Sequence, residues 1–227
     1  MEKLLEKLKN ITLKNSIEIE EKDPQYISLK NLYLNFNWNL NSVFYLPLII
    51  ANSIICYQLS SSGEAYWEEF SQFFSKNQIK NIDDLIEKLW SFITNSKWNK
   101  RFIKIKLNRI EKLKTFLENF ITNEKYYYEN MESLQKDLAE TLNQKPWDKT
   151  IVFWVKMFSY WARNYFNTLI FFPSSIPIPI DSRLTKLYDF YNTDKNLKIT
   201  DFYKILSQKL NIPALHLDAV LWIKNNL

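Results

Sequence analysis

The sequence predicts an all-α fold, and three observations carry that expectation. Apolar residues recur at three- to four-residue spacing along most of the chain, as in Leu4, Leu5 and Leu8, in Leu85, Ile86, Leu89 and Trp90, and in Leu113, Phe116, Leu117 and Phe120. Polar capping residues precede several of these runs: Ser62 follows a Ser-Ser-Ser-Gly break, and Asn81 with Asp83 leads into Asp84–Phe92. No convincing run of alternating residues marks a sheet; Ile17–Ile19 is the one segment expected to extend briefly.

The elements follow in order. The opening MEKLLEKLKN is amphipathic and charged, unlike a signal peptide. The most apolar stretch, Val43–Tyr57, holds Pro47, Asn52 and Ser53, and is too short and too polar to cross a bilayer comfortably. A charged helix is expected over about Tyr127–Leu142. The helix-breaking NQKPWD, Asn143–Asp148, then leads into a very apolar helix over about Lys149–Leu169. In FFPSSIPIPID, Pro173, Pro177 and Pro179 fix φ and remove backbone donors, so this stretch reads as a stiff, extended connector ending at Asp181. The order is helix, short hairpin, helix, proline connector, aspartate.

Composition narrows the chemistry. The chain has 227 residues, of which 46% are hydrophobic and 16% aromatic, enough for a sizeable core in one compact unit spanning 1–227. Its net charge of +5 and pI near 9.0 suit an anionic partner, although a general richness in Lys, Ile and Asn weakens that argument. A single cysteine, Cys56, allows no internal disulfide and no thiolate zinc cluster. A single histidine, His216, disfavours histidine metal sites and Ser-His or Cys-His dyads. With Gly63 as its only glycine, the chain has neither a Walker loop nor a dinucleotide fingerprint. An enzyme of this composition works with Lys, Asp, Glu or Tyr, and the protein reads as soluble and intracellular.

Two residues stand out as chemical groups. Lys149 opens the apolar helix, where the macrodipole disfavours a cation and an apolar environment would favour the free amine. The bland alternative is a solvated lysine at a helix start. Asp181 is the first acid after Asp148 and ends the proline connector; it could simply cap the helix SRLTKLYDFY, a role compatible with chemistry. Together they suggest attack of a lysine amine on C1′ of a deoxynucleotide, with a carboxylate stabilising the developing positive charge and a Schiff base that permits β-elimination.

The stretch KTIVFWVKMFSYWARNYF followed by FFPSSIPIPIDSRL resembles the archaeal 8-oxoguanine DNA glycosylases, a divergent branch of the helix-hairpin-helix glycosylase superfamily. GEAYWEEF at Gly63–Phe70 and DAVLW at Asp218–Trp222 are supporting blocks, and the resemblance runs from about Asp23 to the C-terminus. It implies two helical lobes around a cleft, with a helix-hairpin-helix region at about 127–183. It further implies removal of 8-oxoguanine from DNA and strand cleavage at the abasic site, with Lys149 as Schiff-base nucleophile and Asp181 as catalytic carboxylate. Damaged DNA is then the partner, the protein a monomer, and no cofactor, metal or membrane is involved. In the base pocket the resemblance places Gln25 as a base reader and Lys156 and Asp218 as polar contacts. Trp67 and Trp222 would stack on the two faces of the extruded base. Ser182 stands where relatives are expected to carry proline.

The pocket residues also have ordinary readings. Most tryptophans fill cores, and the ordinary reading of Gln25 beside Pro24 is a helix start. Lys156 is harder to dismiss, because a buried ammonium needs a partner, for which Asp218 is a candidate. The hairpin NQKPWDK lacks the glycines common in the superfamily, leaving Lys145 as a direct charge contact to phosphate. Lys97–Lys114 carries eight basic residues and one acid, with Trp98 and Phe102 among them. It reads as a surface along a phosphate backbone or as a solvated amphipathic helix. The alternatives are a glycosylase of the same fold for another damaged base, an abasic-site lyase only, or, from a different class, a non-catalytic basic helical protein that binds nucleic acid or an anionic membrane, in which Lys149 and Asp181 would be exposed and far apart.

Overall fold

A computed structural model describes residues 1–36 and 42–223. Thirteen α-helices and one 3-10 turn, Ser42–Phe44, account for the regular structure of the described residues, with no strand among them. They are α1 (Glu2–Leu8), α2 (Leu13–Glu20), α3 (Pro24–Asn35), α4 (Tyr45–Ile55), α5 (Gly63–Phe74), α6 (Ile82–Asn95) and α7 (Ile103–Lys112). There follow α8 (Lys114–Glu129), α9 (Met131–Leu142), α10 (Lys149–Tyr165), α11 (Ser182–Tyr191), α12 (Ile199–Leu210) and α13 (Ala214–Ile223). Ile17–Ile19 therefore lies inside α2 and is not extended.

Side-chain caps start the helices where the sequence offers them. Thr12 and Asn15 form a reciprocal capping box on α2, and Asp23, Ser62, Asn81 and Asp181 each accept a backbone N–H from the first turn they precede. With glycine almost absent, asparagine ends helices: Asn143 and Asn211 adopt the left-handed conformation at φ 52° after α9 and α12. The helix expected over 127–142 is in fact two. It breaks at Asn130 (φ −130°, ψ 64°), whose backbone leaves the helical region without help from Gly or Pro. The apolar helix ends at Tyr165, four residues before the expected limit, and Asn167 turns left-handed at φ 50° just beyond it.

Two hydrophobic cores result. The larger is built on α4, whose eleven residues are all buried and which packs against α7, α8 and α10, with α3 paired to α5 beside it. A helix apolar all round belongs inside a core. The smaller core joins the chain's two ends: α2 lies along α13 and α1 along α12, with Leu4, Leu8, Leu184, Phe202 and Leu206 fully buried among them. The connector after Phe171 runs between the two, burying Ile176 in the larger core and Ile178 in the smaller.

Candidate active site

A cleft of about 640 Å³ opens where the two cores meet. The larger core contributes Gln25 from α3, Cys56 to Leu59 from the α4–α5 loop, Gly63 from α5, and Lys149, Phe153 and Lys156 from α10. The smaller core contributes Asp181, Ser182, Asp218 and Trp222. Seven of the eight residues singled out by sequence thus line one cleft.

Lys149 is the first residue of α10. The hairpin before it is fixed without glycine: Gln135 Nε2 donates to the Pro146 carbonyl at 2.8 Å, the Lys145 N–H to Asp148 Oδ2 at 3.1 Å, and Thr150 Oγ1 to Gln144 Oε1 at 3.0 Å. Lys149 is exposed, so the apolar burial expected for it is not found; it stands at the mouth of the cleft, where the helix start leaves it open to solvent. Trp147 is 65% exposed on the same hairpin, with Lys145 Nζ 5.9 Å from its ring centre.

Asp181 has both of the roles its position allows. Oδ1 accepts the Arg183 and Leu184 N–H groups at 3.0 and 2.9 Å, which caps α11 and locks the carboxylate in place. Oδ2 accepts the indole N–H of Trp222 at 3.3 Å and belongs to the cleft wall. Ser182, one residue on, is exposed at the rim. The Arg183 guanidinium lies 4.0 Å from the Trp222 ring centre and donates to the Trp222 carbonyl.

The floor is charged and nearly sealed. Lys156 Nζ donates to Asp218 Oδ2, and the two side chains are 4% and 5% exposed. Burial by itself would depress Lys156, but the Asp218 and Asp23 carboxylates outweigh it and hold the ammonium above its ordinary range. Burial raises Asp23, which faces the same ammonium. Behind them Glu20, fully buried, accepts from Arg163 Nη1 at 2.8 Å and meets His216 Nδ1 at 2.6 Å. His216 Nε2 accepts the Phe172 N–H at 3.3 Å while Nδ1 faces Glu20, so the ring bridges the carboxylate and the connector backbone. The only histidine in the sequence thus positions the start of the proline connector.

Gln25 follows from a backbone accommodation. Asp23 caps α3, Pro24 takes the first helical position, and the Gln25 side chain turns toward α5. A β-carbon built on Gly63 would stand 2.9 Å from Gln25 Nε2, so the single glycine gives the amide its place.

Trp67 is the one residue of the eight that lies behind the cleft wall. It is fully buried, edge-on to Phe70 (5.5 Å, 85°) and Tyr66 (6.1 Å, 71°), and forms no part of the cleft wall. The face of α5 that carries Tyr66, Trp67, Phe70 and Phe74 packs into the larger core, and Trp67 goes with it. The spacing of Trp67, Phe70 and Phe74 already marks a core face. Sequence reasoning missed the loop Cys56–Leu59, Phe153 and Pro179 as wall residues. Phe153 lies one turn from both Lys149 and Lys156, a spacing that places it on their helix face, whereas Cys56–Leu59 and Pro179 line the cleft through the packing of separate elements and carry no such mark. Burial pushes the Cys56 thiol up to about 12, which leaves it inert as a nucleophile.

The fold and site define a class: an all-helical protein in which a lysine amine at a hairpin-helix junction and a capped carboxylate share a cleft with a polar, ion-paired floor. Among the described residues no helix is long and apolar enough to cross a membrane, and no group of three or more His, Cys, Asp or Glu is placed to hold a metal ion. The chain belongs to the AGOG family of N-glycosylase/DNA lyases, whose family model matches residues 5–227. It is therefore a bifunctional DNA-repair enzyme. The N-glycosylase/DNA lyase of Methanococcus maripaludis is 43% identical over 206 residues, covering 90% of this chain and 79% of that protein. The one from Thermococcus kodakarensis is 38% identical over 224 residues, covering 97% and 82%. Among solved structures, the 8-oxoguanosine complex of Pa-AGOG, an 8-oxoguanine DNA glycosylase from Pyrobaculum aerophilum, has the same fold at a TM-score of 0.82. It is 21% identical and covers 98% of this chain and 86% of that one.

Proposed function

We propose that this enzyme, acting as a monomer inside the cell, removes 8-oxoguanine from DNA and cuts the strand at the resulting abasic site, with Lys149 as nucleophile and Asp181 as its electrostatic partner. The observation that carries the reading is the placement of Lys149 and Asp181 on one cleft whose walls and floor also hold Gln25, Lys156, Asp218 and Trp222. Lys149 Nζ, as the free amine, attacks C1′; the C1′–N9 bond breaks, its electron pair leaves with the base, and the base takes up a proton. Asp181 Oδ2 faces the sugar as positive charge develops there and lowers the barrier electrostatically. The Lys149–C1′ adduct opens the sugar ring to an imine. Loss of a C2′ proton then expels the 3′ phosphate by β-elimination, and water hydrolyses the imine to release Lys149.

Recognition divides among the remaining residues. Gln25 hydrogen-bonds an edge of the base, while Lys156 and Asp218 offer it a paired donor and acceptor. Ser182 contacts the sugar at the rim, and Trp222 stacks through the face not covered by Arg183. Borohydride trapping on a duplex with a single 8-oxoguanine tests the proposal. A covalent adduct with the wild type that is absent with Lys149→Gln and absent on undamaged duplex is expected. Wild-type protein that neither traps nor cuts would overturn it, and an equal adduct on a duplex carrying another damaged base would overturn the 8-oxoguanine assignment.

A further inference from the structure

The basic run Lys97–Lys114 takes no part in the chemistry above, yet it is tied to the back of the cleft wall. The Trp98 carbonyl accepts from Ser60 N at 2.8 Å and Ser60 Oγ at 3.1 Å, and Asn99 Nδ2 donates to the Ile55 carbonyl at 3.2 Å. Lys106, fully buried, donates to the Tyr57 carbonyl at 2.6 Å. The Tyr57 ring lies 4.6 Å from both Lys106 Nζ and the Arg109 guanidinium. Tyr57 itself lines the cleft. One continuous piece of structure therefore presents the cleft wall on one side and the basic segment on the other.

The segment's outer side does not behave as an ordinary solvated helix. Residues 96–102 are not helical, and α7 begins only at Ile103. Lys97, Lys100, Arg101 and Lys104 are all exposed, and none makes an ion pair among the described residues. Glu69, the carboxylate beside residues 96 and 97, is taken up by Ser96 Oγ at 2.6 Å and the Lys97 N–H at 2.8 Å, and Asp83 pairs with Lys114 at the far end of the run. Phe102 stands among these cations, 54% exposed, with its backbone left-handed at φ 57° and ψ 32°. That conformation is disfavoured for a residue with a β-carbon, and a large exposed ring contributes little to folding in return. Unpaired cations around a strained, outward-facing aromatic match what a nucleic-acid strand binds: charge for phosphates and a flat ring for a sugar or base.

We propose that the Lys97–Lys104 ridge is a DNA-binding surface that holds the phosphate backbone flanking the lesion, with Phe102 as its aromatic contact. The ridge rests on the proposed reading only for the identity of the base in the cleft.

The test compares duplex binding with nucleoside binding. In the variant Lys100→Gln/Arg101→Gln/Lys104→Gln, affinity for a duplex carrying one 8-oxoguanine is expected to fall by about tenfold or more at moderate salt. The slope of log K against log salt should shallow by about 2 to 3. Affinity for free 8-oxoguanosine, followed by tryptophan fluorescence, should not change, because the cleft is untouched. Phe102→Gly relieves the left-handed strain, so its melting temperature should not fall while its duplex affinity drops severalfold. Unchanged duplex affinity and salt slope in the triple variant would overturn the proposal, as would a parallel loss of nucleoside affinity. A wild type that binds duplex but not 8-oxoguanosine would sink the lesion reading and leave the salt slope to decide the ridge.

Discussion

Asp181 divides its carboxylate between two partners: Oδ1 caps α11, and Oδ2 accepts the indole N–H of Trp222 at 3.3 Å. Trp222 is held from its other side by Arg183, whose guanidinium covers one ring face at 4.0 Å. The tryptophan therefore has one covered face and a fixed orientation, and the proposed reacting carboxylate is aligned by the same contacts that anchor the indole.

Asp181→Asn separates these roles. The amide oxygen can still cap α11, so the melting temperature should change little, whereas Asp181→Ala should cost about 1 kcal/mol of stability. Single-turnover base release should fall in both, by roughly 10²–10³-fold, the size of a lost preorganised electrostatic group. An Asn variant that excises at the wild-type rate would remove Asp181 from the chemistry.

Trp222→Phe keeps a stacking plane and loses the N–H to Asp181. Turnover is expected to fall more than 8-oxoguanosine affinity, and Trp222→Ala should lose both. Stopped-flow kinetics alongside fluorescence titration distinguishes the two.

Gly63→Ala places a methyl group 2.9 Å from Gln25 Nε2. The neighbour is the end of a flexible side chain, so the cost to folding should stay below about 1 kcal/mol. The amide must move, and 8-oxoguanosine affinity should fall about as far as in Gln25→Ala. The double variant should then be no weaker than either single one, which a double-mutant cycle measures.

Lys156→Met leaves Asp218 and Asp23 buried without their cation, and about 3–5 kcal/mol of destabilisation is expected. Lys156→Met/Asp218→Leu should recover much of that stability in denaturant titrations and none of the affinity for 8-oxoguanosine. Recovered binding would show that the pair serves only the fold.

Glu124 gives the fold a pH dependence of its own. Burial pushes its carboxyl up to about 8, against roughly 4.3 in an unfolded chain. The folded state thus keeps a proton that the unfolded state releases, so stability declines as pH rises from about 4 to 8 and is flat beyond. Glu124→Gln should melt higher than wild type at pH 8, by about 2–4 °C per kcal/mol recovered, with the difference vanishing near pH 4.

The order of helix, hairpin, helix, connector and aspartate was legible because it is written in local chemistry: prolines at 173, 177 and 179, and caps at Ser62, Asn81 and Asp181. Lys149 and Asp181 stood out for the same reason. Tertiary outcomes were less accessible. The break at Asn130 has no breaker residue to announce it. Lys106 is buried inside a run that reads as solvated, although its spacing with Ile110 and Leu113 places it on their apolar face. Trp67, which the resemblance places in a stacking position, lies in the core, on the face that its spacing with Phe70 and Phe74 already marks.

On the proposed roles of Lys149 and Asp181, the two cores give the enzyme a built-in safeguard. Lys149 is rooted in the larger core and Asp181 in the smaller, so amine and carboxylate meet only while the two halves are docked. If Lys149 and Asp181 act as proposed, a molecule whose two halves have come apart would keep the amine and lose the aligned carboxylate, and would fall silent on DNA before it unfolded.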